Sequence, residues 1–299
     1  LEEFEEKLKY VPDESLLFHS KRNGISTWLL ARGEINIAKK LRRYQIEDFK
    51  SVKDLRKFCL DVFEASRIKQ LRGRIIKFRP NIVNSNHYVV RLGRGSLGGK
   101  GRGLAFLSNF IENIYFAKLI KDINISIPKT AVIDVDEYDN FIEKNNLYNK
   151  IYLDKNYKKV RDLFAKSELS DKLRERLLDY LEEMTCPLAV RSSGLFEDSL
   201  MQPFAGVYAT YLLPNNHPDI GERFRQLVTA IKLIYASIFS PEAQSYFSAV
   251  DYKIEEEKMA VIIQEVVGQE NNGRYYPNIS GVAQSYNYYP FSYMKPEDG

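Results

Sequence analysis

The segment of residues 93–103 constrains the fold of this chain more than any other, because six of its eleven residues are glycine. Residues 88–92 predict a short strand before it, and the apolar spacing of residues 104–119 predicts an amphipathic helix after it. Closely spaced glycines at such a junction allow backbone N–H groups to face one anion, and the helix N-terminus adds positive potential. Lys100 adds a mobile charge that suits phosphate. This glycine loop (residues 93–103) predicts a phosphate-binding site, with a mere tight turn as the alternative.

Three familiar classes of glycine loop differ in the residues that accompany the glycines. A Walker A loop would need a glycine at position 94 and Ser or Thr at position 101, where this chain has Arg94 and Gly101. A protein kinase would need His-Arg-Asp and Asp-Phe-Gly sequences, and neither occurs. A dinucleotide-binding oxidoreductase stays open as a minor alternative. Its acidic residue should close a second strand about 20 residues on, whereas Asp122 follows a long helical segment.

The remaining hydrophobic pattern divides the chain into two parts. Residues 1–77 are predicted to form a helical segment, with a break at Gly33 and a helix cap at Ser51. Residues 78–299 mix predicted strands and helices irregularly, which is typical of the α+β (mixed α/β) fold class. The predicted strands are 75–78, 88–92, 131–133, 188–190 and 259–267. The later predicted helices are 136–144 and 221–239, and residues 151–185 are predicted to be charged and helical.

Charge and composition disfavour several classes of partner. The chain has 44 basic and 40 acidic residues, so its net charge of +4 gives no general case for nucleic acid or a membrane. Residues 39–79 are locally basic, but they lack interleaved aromatic platforms, so solvated helix faces are the simpler interpretation. Cys59 and Cys186 are expected to be free thiols. With neither a signal peptide nor a membrane span, the sequence predicts a cytoplasmic location.

A second constellation follows the predicted strand at 188–190. Arg191 stands at its end, where a guanidinium could hold a phosphate through two hydrogen bonds. Gly206 would allow a close backbone approach, and Thr210 offers a hydroxyl. The alternative is a structural turn in which Arg191 pairs with Glu197 or Asp198.

Taken in order, these motifs resemble the nucleotide-binding domain shared by phosphoenolpyruvate synthase and pyruvate phosphate dikinase. The resemblance runs from about residue 78 to the end of the chain and leaves residues 1–77 outside. The segments that carry it are Gly98–Gly101, Ile127–Ile142, Ala189–Ser193 with Glu197-Asp198, Phe204–Gly206, Val261–Val267 and Ser280–Ala283. The last two look like the later strands of that family.

The resemblance implies an ATP-grasp fold with ATP in a cleft between lobes and Mg²⁺ as a cofactor. Lys100 and Arg191 would be the catalytic residues, contacting the phosphates and polarising the group being transferred. The implied ATP-binding residues are Gly99, Lys100, Gly101, Arg191, Gly206, Thr210, Gln264, Val266 and Val267. Gly206 and Thr210 would belong to a loop over the phosphates, and residues 264–267 would read adenine. Replacing Lys100 or Arg191 by Ala is expected to weaken ATP binding without much effect on stability.

The resemblance also implies partners that this chain does not supply. Family members pass a phosphoryl group from ATP to a histidine on a separate domain, and from there to pyruvate on a third domain. None of His19, His87 and His217 lies in a phosphoacceptor context, and the acidic Mg²⁺ ligands of the family are expected beyond residue 299. The chain is therefore expected to be a fragment that is inactive alone. A degenerate ATP-grasp module for nucleotide sensing, without turnover, is the alternative function.

Overall fold

The computed structural model describes residues 1–71, 74–78, 89–114, 123, 125–153, 156–194, 197, 206–250, 253–283, 285–287 and 289–298. Within these residues the chain is a mixed α+β structure with a helical N-terminal part and one six-stranded sheet. This agrees with the fold class predicted from the sequence. Among the described helices, none combines the length and apolar character that crossing a membrane requires.

The N-terminal part has its own hydrophobic cluster. Its helices are α1 (Glu2–Leu8), α2 (Asp13–Lys21), α3 (Gly24–Ala31), α4 (Ile35–Leu41) and α5 (Val52–Leu71). The buried residues they contribute are Leu8, Leu16, Leu29, Ile37, Ala38, Leu55, Cys59, Val62 and Phe63. Gly33 has a φ of 80° and separates α3 from α4, as the sequence predicts. The predicted cap of α5 is also present, because the Asp54 N–H donates to Ser51 Oγ at 3.2 Å.

The large sheet has the strand order β1-β2-β3-β6-β4-β5. Its strands are β1 (Ile75–Lys77), β2 (Val89–Arg91), β3 (Thr130–Ile133), β4 (Leu188–Gly194), β5 (Thr210–Leu213) and β6 (Met259–Glu265). The first three are parallel, and each remaining neighbour pair is antiparallel. The sheet therefore includes β1, which precedes the boundary predicted at residue 77. The division into two domains itself stays a prediction.

The two faces of the sheet are covered to different extents. One face packs against α7 (Val135–Lys144), α8 (Leu147–Leu153), α9 (Tyr157–Lys166), α10 (Asp171–Glu183), α11 (Ile220–Ala236) and α12 (Pro241–Ala249) in the main hydrophobic core. On the other face, α6 (Gly98–Asn113) packs over a smaller cluster that includes Leu97, Val132 and Ile262. Beyond α6, this second face reaches exposed positions such as Leu212, which is 71% exposed. We call it the open face.

The structure corrects the sequence interpretation at several elements. Residues 280–283 were expected to form a late strand, but they lie outside all strands, and Val282 is 87% exposed. No neighbouring strand is described there to accept hydrogen bonds, and an isolated strand has no ladder to stabilise it. The sequence also missed β5 and the hairpin of β7 (Gln269–Asn271) and β8 (Arg274–Tyr276). The region 151–185 is helical, as predicted, and contains the end of α8 followed by α9 and α10.

Candidate functional site

The glycine loop connects β2 to α6, as predicted, but the helix begins within the loop, at Gly98. Gly98 has a φ of 71°, and a Cβ atom there would overlap the carbonyl oxygen of Ser193 on β4. A Cβ at Gly99 would likewise overlap the carbonyl oxygen of Glu197. Glycine is required at both positions because the start of α6 lies directly on the end of β4.

Ser193 fixes this contact with its hydroxyl group. Ser193 Oγ donates to the Leu97 carbonyl at 2.8 Å and accepts from the Gly101 N–H at 2.9 Å. This occupies one of the N–H groups that the first turn of a helix leaves without an intrahelical acceptor. Within the described part of the chain, the N–H groups of Gly99 and Lys100 have no acceptor. Both remain available to an anion at the N-terminus of α6.

The Lys100 side chain forms an ion pair with Glu197, in which the lysine side chain is 21% exposed and the glutamate 3%. Glu197 has two further contacts. It accepts from Ser192 Oγ and from the Gly194 N–H, each at 2.8 Å. The end of β4 therefore holds a buried carboxylate, and Lys100 supplies its counter-charge. The sequence interpretation treated Lys100 as a side chain available only to a ligand and did not predict this pair.

Arg191 and Thr210 lie opposite each other on β4 and β5. Directly opposed residues of antiparallel strands point to the same face, and Arg191 is also opposite Ile262, which belongs to the cluster under α6. Arg191 and Thr210 therefore both lie on the open face. Two residues further along β4, roughly 7 Å away by strand geometry, Ser193 contacts the start of α6.

Arg191 is half-buried, and its guanidinium has no hydrogen-bond or ion-pair partner among the described residues. The alternative in which it pairs with Glu197 is wrong, because Lys100, Ser192 and Gly194 occupy that carboxylate. Asp198, the other suggested partner, lies outside the described residues. A guanidinium on an open sheet face, without a partner among the residues that the structure describes, suits an anionic ligand.

The predicted adenine-reading segment lies at the end of β6. Gln264 is 9% exposed, and its amide donates to Thr130 Oγ1 at 3.0 Å, so its side chain is engaged within the sheet. Val266 follows the strand, and its N–H donates to the Pro187 carbonyl at 2.9 Å. Val267 is 60% exposed, and its N–H has no acceptor in the described part of the chain. Of these three residues, Val267 is the exposed one.

Gly206 is exposed and has a φ of 80°, four residues before Thr210. The structure thus brings Arg191, Thr210 and Gln264 onto neighbouring strands, and it places the start of α6 at the far end of β4. It does not join Gly206 or Val267 to the other predicted residues by any described contact. Their roles in ATP binding stay predictions.

Asp134 is a residue of this region that the sequence interpretation missed. It follows β3, is fully buried, and lies where a Cβ on Gly93 would overlap it. The N–H groups of Gly95 and Glu137 lie near its carboxylate, but neither makes a hydrogen bond of ordinary geometry. Burial raises the pKa of Asp134 despite these groups. An aspartate directly after a predicted buried strand was the signal available in the sequence.

Across the part of the chain that the structure describes, no three His, Cys, Asp or Glu residues are arranged to hold a metal ion. The implied Mg²⁺ is therefore not matched by a protein-built site in these residues. The groups at the start of α6 and on β4 suit an anion instead: the N–H groups of Gly99 and Lys100, the Lys100 ammonium, and the guanidinium of Arg191, which has no partner among the described residues.

Comparison with known proteins matches residues 94–299 to the family described as pyruvate phosphate dikinase, AMP/ATP-binding domain. The probable phosphoenolpyruvate synthase of Methanocaldococcus jannaschii is 26% identical over 196 residues, which is 59% of this chain and 15% of that protein. The protein of the same name in Archaeoglobus fulgidus is 28% identical over 168 residues, 50% of this chain and 21% of the relative. The phosphoenolpyruvate synthase of Aeropyrum pernix is 26% identical over 121 residues, which is 38% of this chain and 14% of that protein.

The matched part of the chain thus spans 14–21% of the length of these relatives. The match includes α6, Arg191 and β6, but it excludes the N-terminal helices. In the described residues the large sheet is not the parallel sheet of the minor dinucleotide-binding alternative, because three of its five strand pairings are antiparallel. Because the family match covers more than half of its residues, this chain belongs to the pyruvate phosphate dikinase AMP/ATP-binding domain family.

Proposed function

We propose that this chain binds ATP on the open face of its sheet and presents the phosphates for transfer to another domain. The observation that carries the proposal is the Arg191 guanidinium, which has no partner among the described residues and shares its strand face with Ser193, the residue that anchors the start of α6. Proteins promote phosphoryl transfer mainly by positioning the reacting groups and supplying positive charge, and much less by covalent chemistry. The family match supports the nucleotide as the ligand.

Each group has a distinct role in this proposal. The N–H groups of Gly99 and Lys100 bind phosphate oxygens at the N-terminus of α6, where the helix dipole adds attraction. The Lys100 side chain contacts the same phosphates, and Arg191 holds the phosphoryl group that is transferred. Thr210 donates a hydroxyl hydrogen bond from β5. The backbone near Val267 reads the adenine edge, because the Gln264 amide is already bonded to Thr130.

Mg²⁺ would enter with the nucleotide. Mg²⁺ in ATP sites is commonly held by phosphate oxygens and water with only one or two protein carboxylates. Among the described residues, no group of side chains is arranged to hold a metal ion, and no role is assigned to an ion bound by the protein alone. What this chain contributes is charge from Lys100 and Arg191.

The steps after ATP binding would take place on other domains of a longer protein, because the relatives are several times longer than the part of them that this chain matches. By resemblance, the phosphoryl group would pass to a histidine on a phosphohistidine domain and then to pyruvate on a pyruvate-binding domain. The M. jannaschii, A. fulgidus and A. pernix relatives are phosphoenolpyruvate synthases by name, which supports pyruvate as the acceptor. The chain alone would then bind ATP without turnover.

A calorimetric titration of Mg·ATP into the whole chain tests the proposal. Arg191→Ala is the principal variant, because its loss removes a cation without breaking a described contact. We expect wild-type binding and at least about tenfold weaker binding in the variant, the scale of one charge-assisted contact. Arg161→Ala on α9, on the opposite face of the sheet, is the matched control and should bind like wild type. Equal affinity in all three proteins would contradict the proposed site.

A nucleotide-sensing module without turnover is a second candidate. The favouring observation is that α1 to α5 form a separate hydrophobic cluster outside the region matched by the family. Such an added unit is a natural place for a signalling or docking role. The parent protein distinguishes the two functions: phosphate transfer from ATP to a protein histidine requires the phosphotransferase, whereas ATP binding without a phosphoprotein indicates the sensor.

A further inference from the structure

We propose that Glu197 is a positioning residue that competes with the nucleotide for Lys100, so that ATP must displace a buried ion pair in order to bind. The inference rests on the proposed ATP-binding function and deepens it. It assigns to Glu197 control of the affinity for the phosphate part of the ligand. The residues involved are Lys100 on α6 and Glu197, Ser192 and Gly194 at the end of β4.

The carboxylate is fixed independently of Lys100. Glu197 is 3% exposed, and it accepts hydrogen bonds from Ser192 Oγ and the Gly194 N–H, both at 2.8 Å. Its backbone lies against Gly99, where a Cβ would overlap the Glu197 carbonyl oxygen. Glu197 is therefore held in place by β4 and by the start of α6.

Lys100 is the mobile partner of the pair. Its side chain is 21% exposed and projects from the first turn of α6, beside the N–H groups that have no acceptor among the described residues. A lysine stem can rotate between two acceptors in a way that the anchored glutamate cannot. Moving the ammonium group toward a phosphate leaves a buried carboxylate with less compensation, which is unfavourable. The carboxylate also repels the phosphates directly.

The loss of charge compensation at Glu197 and the repulsion between its carboxylate and the phosphates act in the same direction. Both make binding of a phosphate-bearing ligand weaker than the cations alone would give, and neither acts on the adenosine part. Weak anions such as free phosphate therefore do not displace Lys100 from Glu197, whereas ATP, which carries several negative charges, does. This separates Glu197 from a residue that only stabilises the turn, whose replacement would affect ATP and adenosine alike.

Glu197→Gln in the full chain is the direct test. The amide retains the size of the side chain and can still accept from the Gly194 N–H. We expect ATP to bind about fivefold more tightly than to wild type, the effect of removing a competing, partly exposed ion pair. Adenosine should bind equally to both proteins. Equal or weaker ATP binding in Glu197→Gln beside normal wild-type binding would overturn the inference and leave the proposed function intact.

Ser192→Ala provides an opposite perturbation should Glu197→Gln fail to fold. Removing the hydroxyl donor leaves Glu197 more dependent on Lys100, so ATP should bind more weakly while adenosine binding is unchanged. Unchanged or tighter ATP binding to Ser192→Ala would refute the competition. Absence of ATP binding by wild type and by every variant would overturn both this inference and the proposed function. Melting of each variant without ligand establishes that it is folded.

Discussion

Removing the Lys100 ammonium group should lower the stability of the protein in the absence of any ligand. Lys100→Met retains the aliphatic stem and deletes the charge that compensates Glu197, which is 3% exposed. Breaking a buried ion pair from one side costs about 3–5 kcal/mol. The cost should be smaller here, roughly 2 kcal/mol, because Glu197 retains its hydrogen bonds from Ser192 and Gly194 and water can reach a partly exposed site.

Thermal and urea unfolding without nucleotide measure this effect. A loss of roughly 2 kcal/mol corresponds to a decrease in Tm of about 4–8 °C for a domain of this size. Arg102→Met is the matched control, because Arg102 is an exposed cation on the same helix without a described partner. Its free energy of unfolding should change by less than about 0.5 kcal/mol.

A double variant distinguishes the ion pair from a general effect of the substitution. In Lys100→Met with Glu197→Gln, no buried charge is left without compensation, so most of the lost stability should return. Equal Tm values for Lys100→Met and Arg102→Met would refute the reasoning. So would a double variant that is less stable than Lys100→Met. The sequence interpretation expected a nearly neutral substitution at Lys100, and this experiment decides between the two expectations.

The remaining predictions concern the backbone and the buried titratable groups. Gly98→Ala should lower the free energy of unfolding by at least about 1–2 kcal/mol, the cost of a left-handed residue, whereas Gly103→Ala, inside α6 with open space around it, should raise it by up to about 1 kcal/mol. Equal effects in urea unfolding would contradict the close contact at Gly98. Burial raises the pKa of Asp134 above its ordinary 3.8, so the contribution of Asp134 to wild-type stability should fall as pH rises from 3.8 through the folded pKa. Asp134→Asn should therefore be more stable than wild type at pH 7, with the gap closing below pH 3.8; a gap independent of pH would refute this. Burial also raises the pKa of Cys59 and of Cys186 to about 11, so both thiols should alkylate slowly at pH 7.5 and fully in denaturant, as mass spectrometry would show.

Features that depend on residues close together in the sequence could be predicted from the sequence. The Ser51 cap, the break at Gly33 and the strand–glycine loop–helix unit are all confirmed. Each follows from the conformational preferences of a few consecutive residues or from the spacing of apolar side chains. The positions of β2, β3, β4 and β6 were also predicted, because short β-branched runs mark buried strands.

Features that depend on strand pairing were not predictable in the same way. The pairing of β5 with β4 cannot be predicted from the sequence pattern. It is this pairing that places Thr210 opposite Arg191. The Lys100–Glu197 pair joins residues 97 positions apart and depends on α6 meeting the end of β4. The local alternative, Arg191 with Glu197, is nearer in sequence but wrong. Adjacent strand residues point to opposite faces, and Ser192 of β4, rather than Arg191, contacts that carboxylate.

The density of glycines in the loop has two physical causes, and only one concerns a ligand. Gly93 and Gly95 leave room for the carboxylates of Asp134 and Asp136, whereas Gly98 and Gly99 leave room for the backbone at the end of β4. Packing therefore accounts for much of a pattern that the sequence interpretation attributed to phosphate binding. Within the described residues, packing does not use the pair of N–H groups at Gly99 and Lys100. A glycine-rich sequence alone cannot show which amides remain free, and those two amides support the anion site.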